Sequence, residues 1–173
     1  MNFIYFFIIG AFTGWLLECF FKFVTHNFKR TPGILNTPFC ILYGVGTVLL
    51  SFVISKITDN FMLLFFLSML ILTTIEYITF ILLNKIYNLK LWDYSDMEFK
   101  INEKVCLEFS VIWGLLGALY IKYLLPILNN IYLKYNKEVF NVILIVIMGI
   151  IIIDFVISST VLIKKKIIKT VEK

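Results

Sequence analysis

Charge is scarce in this chain. Asp, Glu, Lys and Arg make up 16% of its 173 residues, where a soluble domain carries about 25%. Histidine occurs once, as His26, which excludes a histidine-rich metal centre and reads as a lone interfacial residue. The three cysteines, Cys19, Cys40 and Cys106, form no Cys-x-x-Cys pair and no metal-like spacing with His26. They read as free, apolar-packed thiols. No G-x-x-x-x-G-K-[ST] is present, so the chain holds no nucleotide through a P-loop. Gly44-Val45-Gly46 lacks the third glycine of a dinucleotide loop and lies in an apolar run. There is no H-E-x-x-H, no G-x-S-x-G and no nucleophile–base pair that would serve an enzyme acting on lipid. The expectation is a non-enzyme with no catalytic residues, no metal and no cofactor. The N-terminus has neither a basic n-region nor an A-x-A-like cleavage site, so its apolar run reads as a retained first span. No internal repeat is visible, and five spans would not divide into equal inverted halves.

What the chain has in abundance is apolar surface: 61% hydrophobic residues and a mean hydropathy of +0.95. Water is the wrong solvent for such a chain and lipid the right one. A run of about twenty apolar residues, rising 1.5 Å each, matches a hydrocarbon core about 30 Å thick. Five segments meet this: 3–24, 38–57, 61–83, 105–125 and 139–163. The expected fold is therefore all-α, one transmembrane bundle of about five helices spanning 1–173, with a cytoplasmic loop at 84–104. The second span carries Gly44, Gly46, Ser51 and Ser55 and could be a shorter, partly re-entrant helix. Asn36-Thr37-Pro38 offers an N-cap and an N-terminal proline for an ordinary start.

The net charge of +5 sits in short clusters between the apolar runs. That pattern encodes membrane topology and argues against nucleic acid as a partner. With the N-terminus outside, one side holds Lys22, Lys29, Arg30, Lys85, Lys90, Lys100, Lys104, Lys164, Lys165, Lys166, Lys169 and Lys173; the other holds Lys56, Lys122, Lys134 and Lys137. Twelve against four is a clear positive-inside bias, so the expected orientation is N-out, C-in. All three cysteines then lie near the cytoplasmic, reducing side, where no disulfide is expected. Lys164-Lys165-Lys166 and Lys169 read as a stop-transfer signal touching anionic lipid.

Three acids lie inside the spans: Glu18, Glu76 and Asp154. Insertion scales charge about 2.5–3.5 kcal/mol for Asp at a helix centre, so these groups should face the bundle interior or water. Each sits roughly 5–8 Å past its span's midpoint towards the cytoplasm, at a common depth. No Lys or Arg shares that depth. One reading is a single acidic site for a cation, a proton or a polar substrate. The other is three structural acids, protonated or paired locally: Glu18 with Lys22, Asp154 with Ser158, Glu76 beside Thr73 and Thr79. Small-residue faces, Gly10-x-x-x-Gly14 and Ser110, Gly114, Ala118, suggest close helix packing inside the bundle, or a homodimer face.

Several segments, in order, resemble a family of bacterial membrane proteins identified as ABC-transporter permeases (putative ABC-transporter type IV). They are Gly14-Trp15-Leu16-Leu17-Glu18, Gly33 with Pro38-Phe39-Cys40 and Tyr43-Gly44, Glu76-Tyr77, Trp92-Asp93-Tyr94-Ser95, Cys106-Leu107, and Ser110 with Trp113-Gly114. The match covers roughly residues 10–115. It departs at Thr31-Pro32-Gly33, where the family reads Asn-Arg-Gly, at Ile41 where a proline is expected, at Asn84 where an acid is expected, and at Asn102-Glu103-Lys104. The resemblance implies a permease subunit in the plasma membrane, partnered by a separate ATPase. The docking surface would be 84–104, with 25–37 as a second contact. The competing expectation is a non-transporting scaffold or regulator acting through the same loop.

Overall fold

The computed structural model describes residues 2–24, 33–134 and 137–171. Of the expected second contact, 25–37, residues 25–32 with His26, Lys29 and Arg30 lie outside them. Among the described residues six α-helices follow in order: α1 (Phe3–Val24), α2 (Ile41–Phe52), α3 (Phe61–Tyr87), α4 (Leu107–Leu119), α5 (Leu125–Lys134) and α6 (Lys137–Val171). A two-stranded antiparallel hairpin, β1 (Lys100–Asn102) and β2 (Val105–Cys106), precedes α4. Among the described residues four continuous helices are long and apolar enough to cross a bilayer: Phe3–Val24, Phe61–Tyr87, Leu107–Lys134 and Glu138–Ile168. Apolar side chains remain exposed around the bundle, Phe66 on α3 and Ile153 on α6 among them. Water would not tolerate that surface and hydrocarbon does. The chain is an all-α integral membrane protein.

The spans alternate in direction, α4 and α5 together forming one of them. α1 packs antiparallel along α2, and α3 antiparallel along α4. Each approach is possible because a glycine removes a side chain from the seam. A Cβ at Gly44 would strike the Phe7 ring, and one at Gly117 would strike Ser68. The small-residue faces are thus used within the bundle. α3 starts at an Asn60 side chain that accepts from the Leu63 amide at 3.1 Å and ends at Asn88 in the left-handed conformation, φ 53°. Lys166 of α6 donates to the Lys85 and Ile86 carbonyls at 2.8 and 3.1 Å, placing a cation at the negative end of α3. Between α4 and α5 the helix widens into a π turn at Tyr120–Leu124. Pro126 follows it and lacks the N–H an unbroken α-helix would require.

The second span departs from the expected 38–57. Its helical stretch, Ile41–Lys56 including a 3-10 turn at Ile54–Lys56, is shorter than the other four. At 1.5 Å per residue it reaches about 24 Å, short of a full hydrocarbon core. The start at Asn36-Thr37-Pro38 is corrected: the helix begins at Ile41 with Cys40 as its cap residue. The Thr37 and Asn36 donors are engaged elsewhere, by Asp154, so the chain stays non-helical up to Cys40. Non-helical backbone at such depth persists only when its polar groups are bonded within the protein. Here the Cys40 amide donates to the Ala11 carbonyl at 2.9 Å and the Phe39 amide to the Thr37 carbonyl at 2.7 Å. The expected loop 84–104 also shortens, since α3 continues to Tyr87. Its last residues enter the hairpin, and the fourth helix starts at Leu107 rather than Val105.

The buried apolar cluster fills the end of the bundle where the chain begins. Tyr5, Phe6, Leu50, Ile54, Leu64 and Ile121 are among its members. The opposite end, beneath the 88–106 segment, is hollow.

Candidate functional site

That hollow is a cavity of about 670 Å³ between the α1–α2 and α3–α4 hairpins. Glu18 and Glu76 both line it, and so do Cys40, Tyr43, Tyr94 and Trp113. Asp154 is not among the lining residues. The three acids therefore separate into two in the cavity and one outside it.

Glu18 is half-buried and accepts a 2.7 Å hydrogen bond from the Tyr43 hydroxyl. Among the described residues it makes no ion pair with Lys22. Tyr43 is placed by Gly14: a Cβ there would overlap the Tyr43 ring, so glycine lets α2 bring the phenol down onto α1. The Tyr43 ring meets Trp113 edge to face, centroids 5.4 Å apart, which joins the two hairpins. Trp113 then donates its indole N–H to Glu76 Oε2 at 3.1 Å. Glu76, 3% exposed, also accepts from the Tyr94 hydroxyl at 2.7 Å. Thr73 and Thr79 were the expected neighbours. Instead the Thr73 hydroxyl is buried with no partner among the described residues.

Tyr94 shows how the loop reaches inward. It is buried, and its ring stacks on Phe109 at 5.0 Å. The Trp92 indole donates to the Lys104 carbonyl at 3.1 Å and packs edge-on against Phe80. Asp93 turns the chain by accepting from the Ser95 amide at 2.9 Å and its hydroxyl at 2.5 Å. Those two bonds hold the Asp93 carboxyl below its usual range. Lys90 bonds Glu103 at 2.7 Å, which raises the lysine. So the W-D-Y-S segment is a folded cover: Trp92 and Tyr94 anchor it, while Asp93 and Ser95 shape the turn.

The other motif residues support this frame. Trp15 stacks on Phe12 at 6.2 Å, and the Ser110 hydroxyl donates to the Cys106 carbonyl at 3.0 Å. A Cβ at Gly114 would meet Phe65 and Met69 of α3. The Lys104 ammonium lies 5.5 Å from the centroid of Tyr77. Pro38 sits in the tight turn closed by the Phe39 amide and the Thr37 carbonyl, ahead of α2. Cys40 is buried, and all three cysteines are free thiols.

Asp154 has a different task. It accepts from the Asn36 amide at 2.9 Å, the Thr37 backbone N–H at 2.7 Å, the Thr37 hydroxyl at 2.6 Å and Ser158 at 3.1 Å. The Ser158 pairing was expected. The Asn36 and Thr37 contacts were not, because those residues also satisfy the rules for a helix cap. Asp154 binds the non-helical 36–37 segment to α6 and satisfies a backbone N–H that lies outside any helix.

Among the described residues, no His, Cys, Asp and Glu group is arranged to hold a metal ion. These features define a polytopic helical membrane protein with an apolar cavity bearing two carboxylates under a folded loop. The chain belongs to the family described as Putative ABC-transporter type IV, which matches it over residues 5–159. No curated protein and no solved structure matches it.

Proposed function

We propose that the chain is the substrate-binding membrane subunit, the permease, of an ABC-type transporter in a bacterial plasma membrane. It has no ATPase of its own and performs no chemistry on what it carries. Its N-terminus faces outside and its C-terminus inside, as the twelve-to-four distribution of basic residues favours. The observation that carries the reading is the cavity: about 670 Å³, closed at one end by residues 88–106, with one carboxylate from each hairpin. Pockets of about 300–1,000 Å³ with few polar groups suit small ligands. In this orientation the cover lies on the cytoplasmic side, where an ATPase would dock. Phe99 leaves apolar surface exposed there, at 57%. An ATPase bound to the cover would act on Glu76 through Tyr94.

The test is co-purification of the full chain with an ATPase encoded beside it. ATP turnover should rise when the two combine, and Phe99→Asp should abolish the association without lowering the melting point. Intact association and turnover in Phe99→Asp would refute the docking surface. No ATPase partner and no ATP-dependent flux would refute transport and favour a scaffold acting through the loop.

A further inference from the structure

We propose that the cavity takes a cationic amphiphile from the bilayer, a molecule with an amine or quaternary ammonium head and an apolar tail. This deepens the transport reading by naming its substrate class, and rests on the cavity being the binding site.

The mouth of the cavity is apolar and open to the side. Leu17, Phe20, Ile78 and Ile112 line it yet remain 46%, 67%, 48% and 45% exposed. In a membrane those side chains face hydrocarbon, so a tail can lie among them with its end in lipid. At Glu18 the chemistry changes. Glu18 uses one carboxylate oxygen on Tyr43, and among the described residues the other has no hydrogen-bond partner. None of the described lining residues is basic. A carboxylate in such a place is costly unless a cation meets it. An ammonium head arriving there would meet Glu18 directly, with the aromatic rings of Tyr43 and Trp113 beside it. An anionic head would face like charge. A neutral one would bring no counter-charge to the Glu18 carboxylate. The two ends of the cavity thus match the two ends of a single-chain cationic amphiphile.

The test uses the full chain in nanodiscs of neutral lipid, with radiolabelled dodecyltrimethylammonium as probe and empty nanodiscs as blank. One saturable site per chain is expected. Unlabelled dodecyltrimethylammonium should displace the label, whereas dodecanol and dodecyl sulfate should not, even at about tenfold higher concentration. Glu18→Gln should weaken binding by about tenfold or more, a change of about 1.4 kcal/mol. Binding no greater than in empty nanodiscs, equal displacement by dodecanol, or unchanged affinity in a folded Glu18→Gln protein would overturn the proposal. If Glu18→Gln does not fold, the wild-type displacement order decides alone. ATPase coupling is read separately. Coupling without selective binding sinks this inference only; selective binding without coupling sinks only the transport reading.

Discussion

Replacing Asp154 with Ala should loosen α6 from the rest of the bundle. The side chain accepts four hydrogen bonds: from Asn36, twice from Thr37, and from Ser158. Hydrogen bonds between membrane helices average about 0.6 kcal/mol in double-mutant cycles, so the three that cross to residues 36–37 set a floor of roughly 2 kcal/mol, the Ser158 bond lying within α6. Bonds to a charged acceptor run about 1.5–3 kcal/mol each, but four on one carboxylate are not additive. Truncation also leaves the part-buried Thr37 backbone N–H unpaired, adding to the penalty. The expected loss is about 2–5 kcal/mol. At roughly 2–4 °C per kcal/mol for a chain of this size, the melting midpoint in mild detergent should drop by about 4 °C or more. Thr37→Val should lose less alone, and the Asp154→Ala/Thr37→Val double variant should lose less than the sum. A midpoint within about 1 °C of wild type, or strictly additive losses, would refute the bonding role assigned to Asp154.

Two further outcomes follow from the cavity and its cover. Gly14→Ala puts a methyl group where the Tyr43 ring lies, so Tyr43 must move off Glu18 at a cost of about 1–3 kcal/mol. Thermal unfolding should show the loss, and an unchanged midpoint would mean the seam is not tight. For the cover, the lowered Asp93 carboxyl stabilises the turn at pH values above its ordinary range, about 3.9, and that contribution disappears as pH falls through its folded value. The raised Lys90 acts oppositely, stabilising below its usual range of about 10.4 and failing as pH rises beyond it. Amide exchange at Ser95, corrected for intrinsic rates, should therefore stay constant from about pH 5 to 8 and speed up only in stronger acid. A midpoint near neutrality would contradict the assignment to Asp93.

Helix positions were legible because hydropathy follows solvent. The first helix runs over the expected 3–24, and α3 begins at the expected Phe61. Interior placement of the acids was legible for the same reason, since charge avoids lipid. Partners were harder. Asn36 and Thr37 meet the local rules for a helix start, and only α6, 117 to 122 positions further along, diverts them. Depth alone put Glu18, Glu76 and Asp154 together. Which helices are neighbours put two of them in one cavity and bonded the third elsewhere. The motif pieces carried more information than their spacing revealed, because Tyr43, Tyr94 and Trp113 are the hydrogen-bond and ring contacts that join the two carboxylates. The hairpin at 100–106 left no trace in the pattern: its strands are too short for alternation to register.

The most direct test of the account is whether the α1–α2 and α3–α4 hairpins meet across the cavity. Tyr43 and Trp113 stand there with ring centroids 5.4 Å apart. In a chain whose Cys19, Cys40 and Cys106 are replaced by Ala, cysteines at these two positions should be joined by a short thiol-specific bridging reagent. Fragments cut between α2 and α3 should then stay linked. A folded double variant that remains unbridged at saturating reagent would contradict the shared cavity, and with it the functional reading built there.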